Sequence, residues 1–161
     1  MIGVSIMVTS CSKDEATPAV TPAATTNLSY KIDGVAISCK DGKATETSGL
    51  FSISAHDATQ PTMTGIIISL QVAGLKVGTF KVAKNAFTDP GYSNAYYLDN
   101  FITDGEFKTN NDRLVTADEV VITKYDNVAK TISGTFKFTA IGKVASTQKV
   151  FTEGVFTDIK W

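Results

Sequence analysis

Four carboxylates, Asp99, Asp104, Glu106 and Asp112, fall within fourteen residues of one another, with Asn100, Asn110 and Asn111 between them. Hard oxygen donors are what Ca²⁺ takes as ligands, so the four are candidates for a structural calcium site. Their spacing matches no EF-hand loop, and the same residue types build ordinary turns. Glu106, Asp118 and Glu119 could be nominated for the opposed carboxylates of glycoside hydrolysis, but nothing in their spacing singles out a pair. His56 is the one histidine, flanked by Ser54 and Asp57. A Ser-His-Asp arrangement is defined in space, and neighbours on an extended chain point in opposite directions, so Asp57 is badly placed to orient His56. His56 and one free cysteine, Cys39, cannot supply the usual zinc ligand set. Neither a Gly-x-Gly-x-x-Gly nor a P-loop pattern is present, so dinucleotide and P-loop chemistry lack their signatures. These absences argue for a protein without catalytic activity and without a resident cofactor.

The aromatic residues offer a binding surface. Tyr92, Tyr96 and Tyr97 lie in one segment. On a strand, Tyr92 and Tyr96 share a face and Tyr97 takes the other. A flat ring with a polar tip suits stacking on a sugar or packing in a protein interface. Trp161 follows Ile159 on the same face and is expected to plug one end of the core. Cys39 shares a face with Val35 and Ile37 and reads as a small buried hydrophobe. Charge excludes one class of partner: Lys plus Arg is 15, Asp plus Glu is 16, and the net charge is -1. That balance offers no basic field for a phosphate backbone, so nucleic acid is not an expected ligand.

The elements that must position these side chains are strands. The 161 residues are 43% hydrophobic, too apolar for disorder and the right size for one domain. The chain is rich in threonine, and Thr, Val and Ile favour extended backbone. Asp33-Gly34 between two alternating runs is a hairpin signal. A turn around residues 40–43 leads into an alternating run from Ala44 to Ala55. Ile66, Ile68, Leu70 and Val72 share a face, with Ile67 opposite, which predicts a central strand covered in part on both sides. Val120 to Tyr125 and Val128 to Ala140 flank a tight turn at Asp126-Asn127. Gln148 to Phe151 and Gly154 to Ile159 read as a closing pair around Thr152-Glu153. No stretch of eleven residues carries a helical period. The expectation is an all-β fold, an antiparallel β-sandwich of about nine or ten short strands. The alternative is a closed, lipocalin-like antiparallel β-barrel. Phenylalanines 51, 80, 87, 101, 107, 136, 138, 151 and 156 either fill its interior or line a cavity for an apolar ligand.

The N-terminus has a different composition. Residues Met1 to Val8 are apolar but far too short to span a bilayer, and small residues lead up to Cys11. The stretch Val8-Thr9-Ser10-Cys11 resembles the lipobox of bacterial lipoproteins, in which the cysteine becomes the first mature residue and carries lipid. Ser12-Lys13-Asp14-Glu15 is similar to the short acidic signals of Bacteroidota lipoproteins that reach the outer face of the outer membrane. The resemblance implies a signal peptide over 1–10, a lipid-anchored linker over 11–27 and a domain over 28–161. It also implies outer-membrane lipid as a partner through acylated Cys11. The linker is rich in Ala, Thr and Pro with almost no large apolar side chain, and fully stretched it would reach roughly 45 Å.

The domain also resembles the small β-rich lipoprotein domains of Bacteroidota of unknown function. The residues that carry this are Ile132-Ser133-Gly134-Thr135-Phe136-Lys137-Phe138-Thr139-Ala140 and Glu153-Gly154-Val155-Phe156-Thr157-Asp158-Ile159. The resemblance implies fold and compartment and brings no catalytic residue. The expected function is a lipid-anchored envelope domain that binds a glycan or an envelope protein, or serves structurally. A carrier of apolar small molecules and an enzyme acting on envelope polysaccharide are the alternatives.

Overall fold

The computed structural model describes residues 27–39, 41–57, 64–71, 74–82, 92–99, 105–109, 117–143 and 147–161. Cys11, the signal-like segment and residues 11–26 of the linker lie outside them, as do Asp104, Asp112, Phe87 and Phe101. Eleven strands follow one another: β1 (Leu28–Ile32), β2 (Val35–Cys39), β3 (Lys43–Thr47), β4 (Leu50–His56), β5 (Gly65–Gln71), β6 (Gly78–Val82), β7 (Tyr92–Leu98), β8 (Glu106–Lys108), β9 (Glu119–Asp126), β10 (Thr131–Gly142) and β11 (Gln148–Lys160). All belong to one sheet in the order β2-β1-β11-β10-β9-β6-β7-β5-β4-β3. Strand β8 bridges β7 to β10, which closes β10, β9, β6, β7 and β8 into a five-stranded ring. The fold is all-β, a closed barrel with outer strands that extend the sheet on either side. Among the described residues every pairing is antiparallel except that of β6 with β7. No helix among the described residues is long and apolar enough to cross a membrane.

Turn chemistry explains three departures from the expected strand list. The run from Ala44 to Ala55 is split by Ser48 and Gly49, whose φ angles of 50° and 82° form a second two-residue hairpin like that of Asp33 and Gly34. The β9–β10 turn is not the tight pair Asp126-Asn127 but the four residues 127–130. Asp126 Oδ1 accepts the Val128 and Ala129 N–H groups at 3.0 and 2.8 Å, and Lys130 takes φ 53°. Thr152-Glu153 is no turn at all. Glu153 (φ 50°) is the extra residue of a β-bulge, and Asp158 (φ 45°) marks a second, so β11 runs unbroken through both.

The two long strands show why their glycines are glycines. Gly134 pairs directly with Phe156, and Phe136 directly with Gly154. Each ring therefore lies over the bare backbone of the opposite strand. A Cβ on Gly154 would sit 2.5 Å from the Phe136 ring, and one on Gly134 would sit 2.6 Å from that of Phe156. From there the core is a run of rings in contact. Phe138 stacks on Phe151 at 4.5 Å, Tyr97 meets Phe151 edge-on at 5.2 Å, and Tyr30 lies 5.6 Å from Phe151 and 6.0 Å from Phe136. Aliphatic side chains of β4, β5, β9 and β10 complete it, Ile53, Ile68, Ile122 and Ile132 among them.

Candidate binding face

Strand alternation sorts the three tyrosines. Tyr97 turns inward against Phe107 and Phe151 and is buried, whereas Tyr92 and Tyr96 point outward. Tyr97 is thus removed from the candidate surface, and its neighbours across the sheet take its place. The register of β3, β4, β5, β7 and β8 aligns Lys43, Ser54, Ile67, Tyr96 and Lys108 in one row. The adjacent row reads Thr45, Ser52, Ser69 and Asn94. On the other side His56, Gly65, Leu98 and Glu106 form a third row. Successive strands are about 4.8 Å apart, so the Tyr96 row is about 19 Å long.

This face has a definite chemistry. Ile67 is 40% exposed and Tyr92 is 37% exposed, so apolar surface lies open on strands whose inner faces are fully buried. β5 is a central strand, as its pattern predicts, and its Ile67 face is covered only in part: Ser69 is buried and Ile67 is not. Lys108 Nζ stands 5.8 Å from the Tyr96 ring centre and pairs with Glu106, two residues before it on the same strand. Ser52 and Ser69 share a hydroxyl contact at 3.4 Å. Ring, hydroxyl, amide and ammonium groups thus alternate over the outer sheet surface. Only the tyrosines are conspicuous in the sequence. Their partners come from strands up to sixty-five residues apart, and strand register alone brings them together.

Other nominated residues fall elsewhere. Asp99 and Glu106 are described, but they end and begin elements that meet through Asp99 N–H and the Gly105 carbonyl at 2.8 Å. Among the described residues no group of three or more acidic, histidine or cysteine side chains is placed to hold a metal ion. His56 does meet a carboxylate, but it is Asp41. The His56 backbone N–H donates to Asp41 Oδ1 at 3.0 Å, and its ring Nδ1 lies 2.9 Å from Oδ2. Burial would raise the Asp41 carboxyl, but these hydrogen bonds and the imidazole charge outweigh it and hold it below the usual range. Asp57 is buried on the other side of the strand. Cys39 is fully buried, and loss of solvation, helped by Asp41 and Asp57, pushes its thiol up to about 12, so it is no nucleophile at neutral pH. Trp161 closes the barrel end as expected: it stacks on Tyr125 at 5.2 Å and meets Phe51 edge-on at 5.1 Å.

The remaining carboxylates line a shallow groove of about 390 Å³ on the outside of β9, β10 and β11, with Glu119, Thr135, Lys137, Glu153 and Val155 around it. Glu119 is bound on both sides, by Lys137 at 3.2 Å and Lys81 at 3.3 Å, which hold its carboxyl below its ordinary range. Glu153 pairs with Lys31 at 2.7 Å. Both carboxylates of the groove are thus taken up in ion pairs with lysine. Buried Asp118 is used structurally, as the acceptor of the Thr139 N–H.

With this geometry in place, comparison with known proteins gives one result. Residues 24–160 match a family described as a domain of unknown function, DUF6252, and the chain belongs to that family. No curated protein and no solved structure matches it.

Proposed function

Proceeding from a family to which no activity is attached, we propose that this chain is a non-catalytic, lipid-anchored binding domain of the cell envelope that holds a glycan on the outer face of β3, β4, β5, β7 and β8. The observation that carries the reading is the Tyr96 row, where half-buried Tyr96 and exposed Ile67 lie among Ser54, Lys43 and Lys108 beside a row of hydroxyls and the Asn94 amide. Sugar rings present an apolar face and a rim of hydroxyls. A tyrosine ring meets the first, and serine, asparagine and lysine side chains meet the second. The length of the rows suits an extended chain of several sugars rather than one enclosed monosaccharide.

Two further observations support this reading over its rivals. A carrier of apolar molecules needs interior space, and Phe136, Phe138, Phe151 and Phe156 are spent on one another in ring contacts of 4.5 to 6.5 Å. A hydrolase needs a carboxyl group held protonated beside its substrate; Glu106 and Glu119 each sit in an ion pair with lysine, and Asp118, whose carboxyl burial raises, is turned to the Thr139 N–H. The compartment rests on the lipobox-like Val8-Thr9-Ser10-Cys11: an acylated Cys11 in the outer membrane would hold the domain at the cell surface on its linker. Calcium at Asp99, Asp104, Glu106 and Asp112 is no part of this proposal.

Binding to arrayed envelope glycans, followed by calorimetry on the ones retained, tests the face. Tyr96→Ala is expected to weaken the retained glycan about tenfold, the scale of losing one stacked ring and its contacts, and Glu119→Gln is expected to leave it unchanged. Equal binding by Tyr96→Ala and the parent would remove the face from consideration. The anchor is tested separately: Cys11→Ser should move the protein from the membrane to the soluble fraction.

A further inference from the structure

The described chain begins at Asn27, and its position is fixed. The Asn27 carbonyl accepts the Thr157 N–H at 2.9 Å, and its side-chain amide bonds the backbone of Gly42 at 3.0 and 3.1 Å. Any tether running from Cys11 must therefore join the barrel at the end where β1 begins and β11 finishes. The register places the β9–β10 turn at that same end, because Thr131 pairs with both Asp126 and Lys160, and Trp161 N–H bonds the Lys130 carbonyl. The opposite end carries the Asp33-Gly34 turn.

The tethered end has an unusual surface. Val128 stands at the tip of the β9–β10 turn and is 96% exposed, an apolar side chain offered wholly to its surroundings. Behind it lies the stack of Tyr125 on Trp161, with Lys130 Nζ 5.5 Å from the indole. Nearby acids are already engaged. Asp158 pairs with Lys124 at 2.8 Å, Asp126 accepts the turn N–H groups, and Asp41 is held by His56. Asp126 keeps its charge, since its donors are neutral, and Lys130 and Lys160 offset it and supply the ammonium groups beside Val128. An exposed aliphatic tip, an indole beside a phenol, and flanking lysines are the side chains that settle at the headgroup layer of a bilayer.

We propose that this end of the barrel is a membrane-contact surface, with Val128 entering the headgroup layer of phosphate-bearing lipids and Lys130 and Lys160 meeting the phosphates. The proposal rests on the anchored reading of Cys11, since the tether is what keeps the weak contact in reach: a linker of roughly 45 Å holds the domain at high effective concentration over the bilayer. Docked in this way, the barrel would stand on its Trp161 end, with Tyr96 and Lys108 toward Ile141 at the far end of β10.

The test uses the full chain carrying Cys11→Ser, so that no anchor forms, with vesicles of phosphatidylglycerol and phosphatidylcholine or of phosphatidylcholine alone. Flotation measures binding, and the emission of the single Trp161 reports the environment of this end. Val128→Asp, and separately Lys130→Glu with Lys160→Glu, are expected to reduce binding to the anionic vesicles at least fivefold, on the scale of about 1 kcal/mol per surface lysine. Added salt should reproduce the lysine effect, and Tyr96→Ala should change nothing. The apolar residues at the N-terminus are common to all variants, so differences between variants report the barrel end. Unchanged binding by both variants would overturn the proposal, and equal losses on phosphatidylcholine alone would overturn its phosphate recognition. The anchored reading fails independently, if the mature protein carries no acyl mass at Cys11. A vesicle effect that survived that result would keep the surface and discard the tether.

Discussion

Asp118 reaches past the start of β9 to accept the Thr139 N–H at 3.0 Å, while its own carbonyl accepts Val82 N–H at 3.2 Å. One residue thus joins β6, β9 and β10 where the ladder between β9 and β10 runs out. Burial raises the Asp118 carboxyl above its ordinary range, and the Thr139 hydrogen bond and the Lys137 charge only partly offset this. A carboxyl raised on folding contributes stability that is complete below its unfolded pKa and lost as pH rises through its folded pKa. Asp118→Asn keeps an acceptor for Thr139 and removes the charge. Its urea midpoint relative to the parent should therefore improve between pH 4 and pH 7, and a difference that stays constant or reverses would show that the charge is not what burial opposes. Asp41 runs the other way, because its lowered carboxyl contributes above its unfolded pKa and loses that contribution as pH falls through the folded one. The Asp41–His56 contact also shows a limit of reading neighbours: Asp57 is adjacent in sequence and points away, and the carboxylate that meets the ring comes from fifteen residues earlier.

Strands β10 and β11 are where sequence pattern and packing meet most directly. The segments Ser133-Gly134-Thr135-Phe136 and Glu153-Gly154-Val155-Phe156 look like two similar strand motifs, and pairing them antiparallel sets each glycine against the other's phenylalanine. Gly154→Ala would drive a methyl group into the Phe136 ring, and overpacking of this kind costs about 1–3 kcal/mol. Chemical denaturation should show that loss, while Thr135→Ala on the outer face of β10 should stay within about 0.5 kcal/mol of the parent. A silent Gly154→Ala would mean the ring can move aside. The alternation that marks inner and outer faces was legible for nearly every strand, as was the Asp33-Gly34 turn. Less legible were features in which an ordinary residue takes a left-handed conformation: Ser48 before Gly49, Lys130, Glu153 and Asp158. Tertiary pairing imposes φ near 50° there, and the side chains give little sign of it. The candidate face was legible only as Tyr92 and Tyr96. Ile67, Ser54 and Lys108 join them through pairings between strands far apart in sequence.

At the scale of the molecule, the last strand decides the fold. β11 lies between β1 and β10, so the first and final strands are neighbours, and both glycine–phenylalanine pairs need β11 in place. Without it, Leu28, Tyr30, Phe136 and Phe138 would lose the wall formed by Phe151, Phe156 and Ile159, and β1 and β2 would lose their only connection through the sheet. A chain ending at residue 147 should therefore show neither a cooperative thermal transition nor a near-ultraviolet aromatic signal, whereas one beginning at residue 24 should melt within a few degrees of the full chain. A cooperative transition in the shorter C-terminal truncation would place the stable unit inside the five-stranded ring alone. Pairing between chain ends is slow because the whole intervening loop must close first.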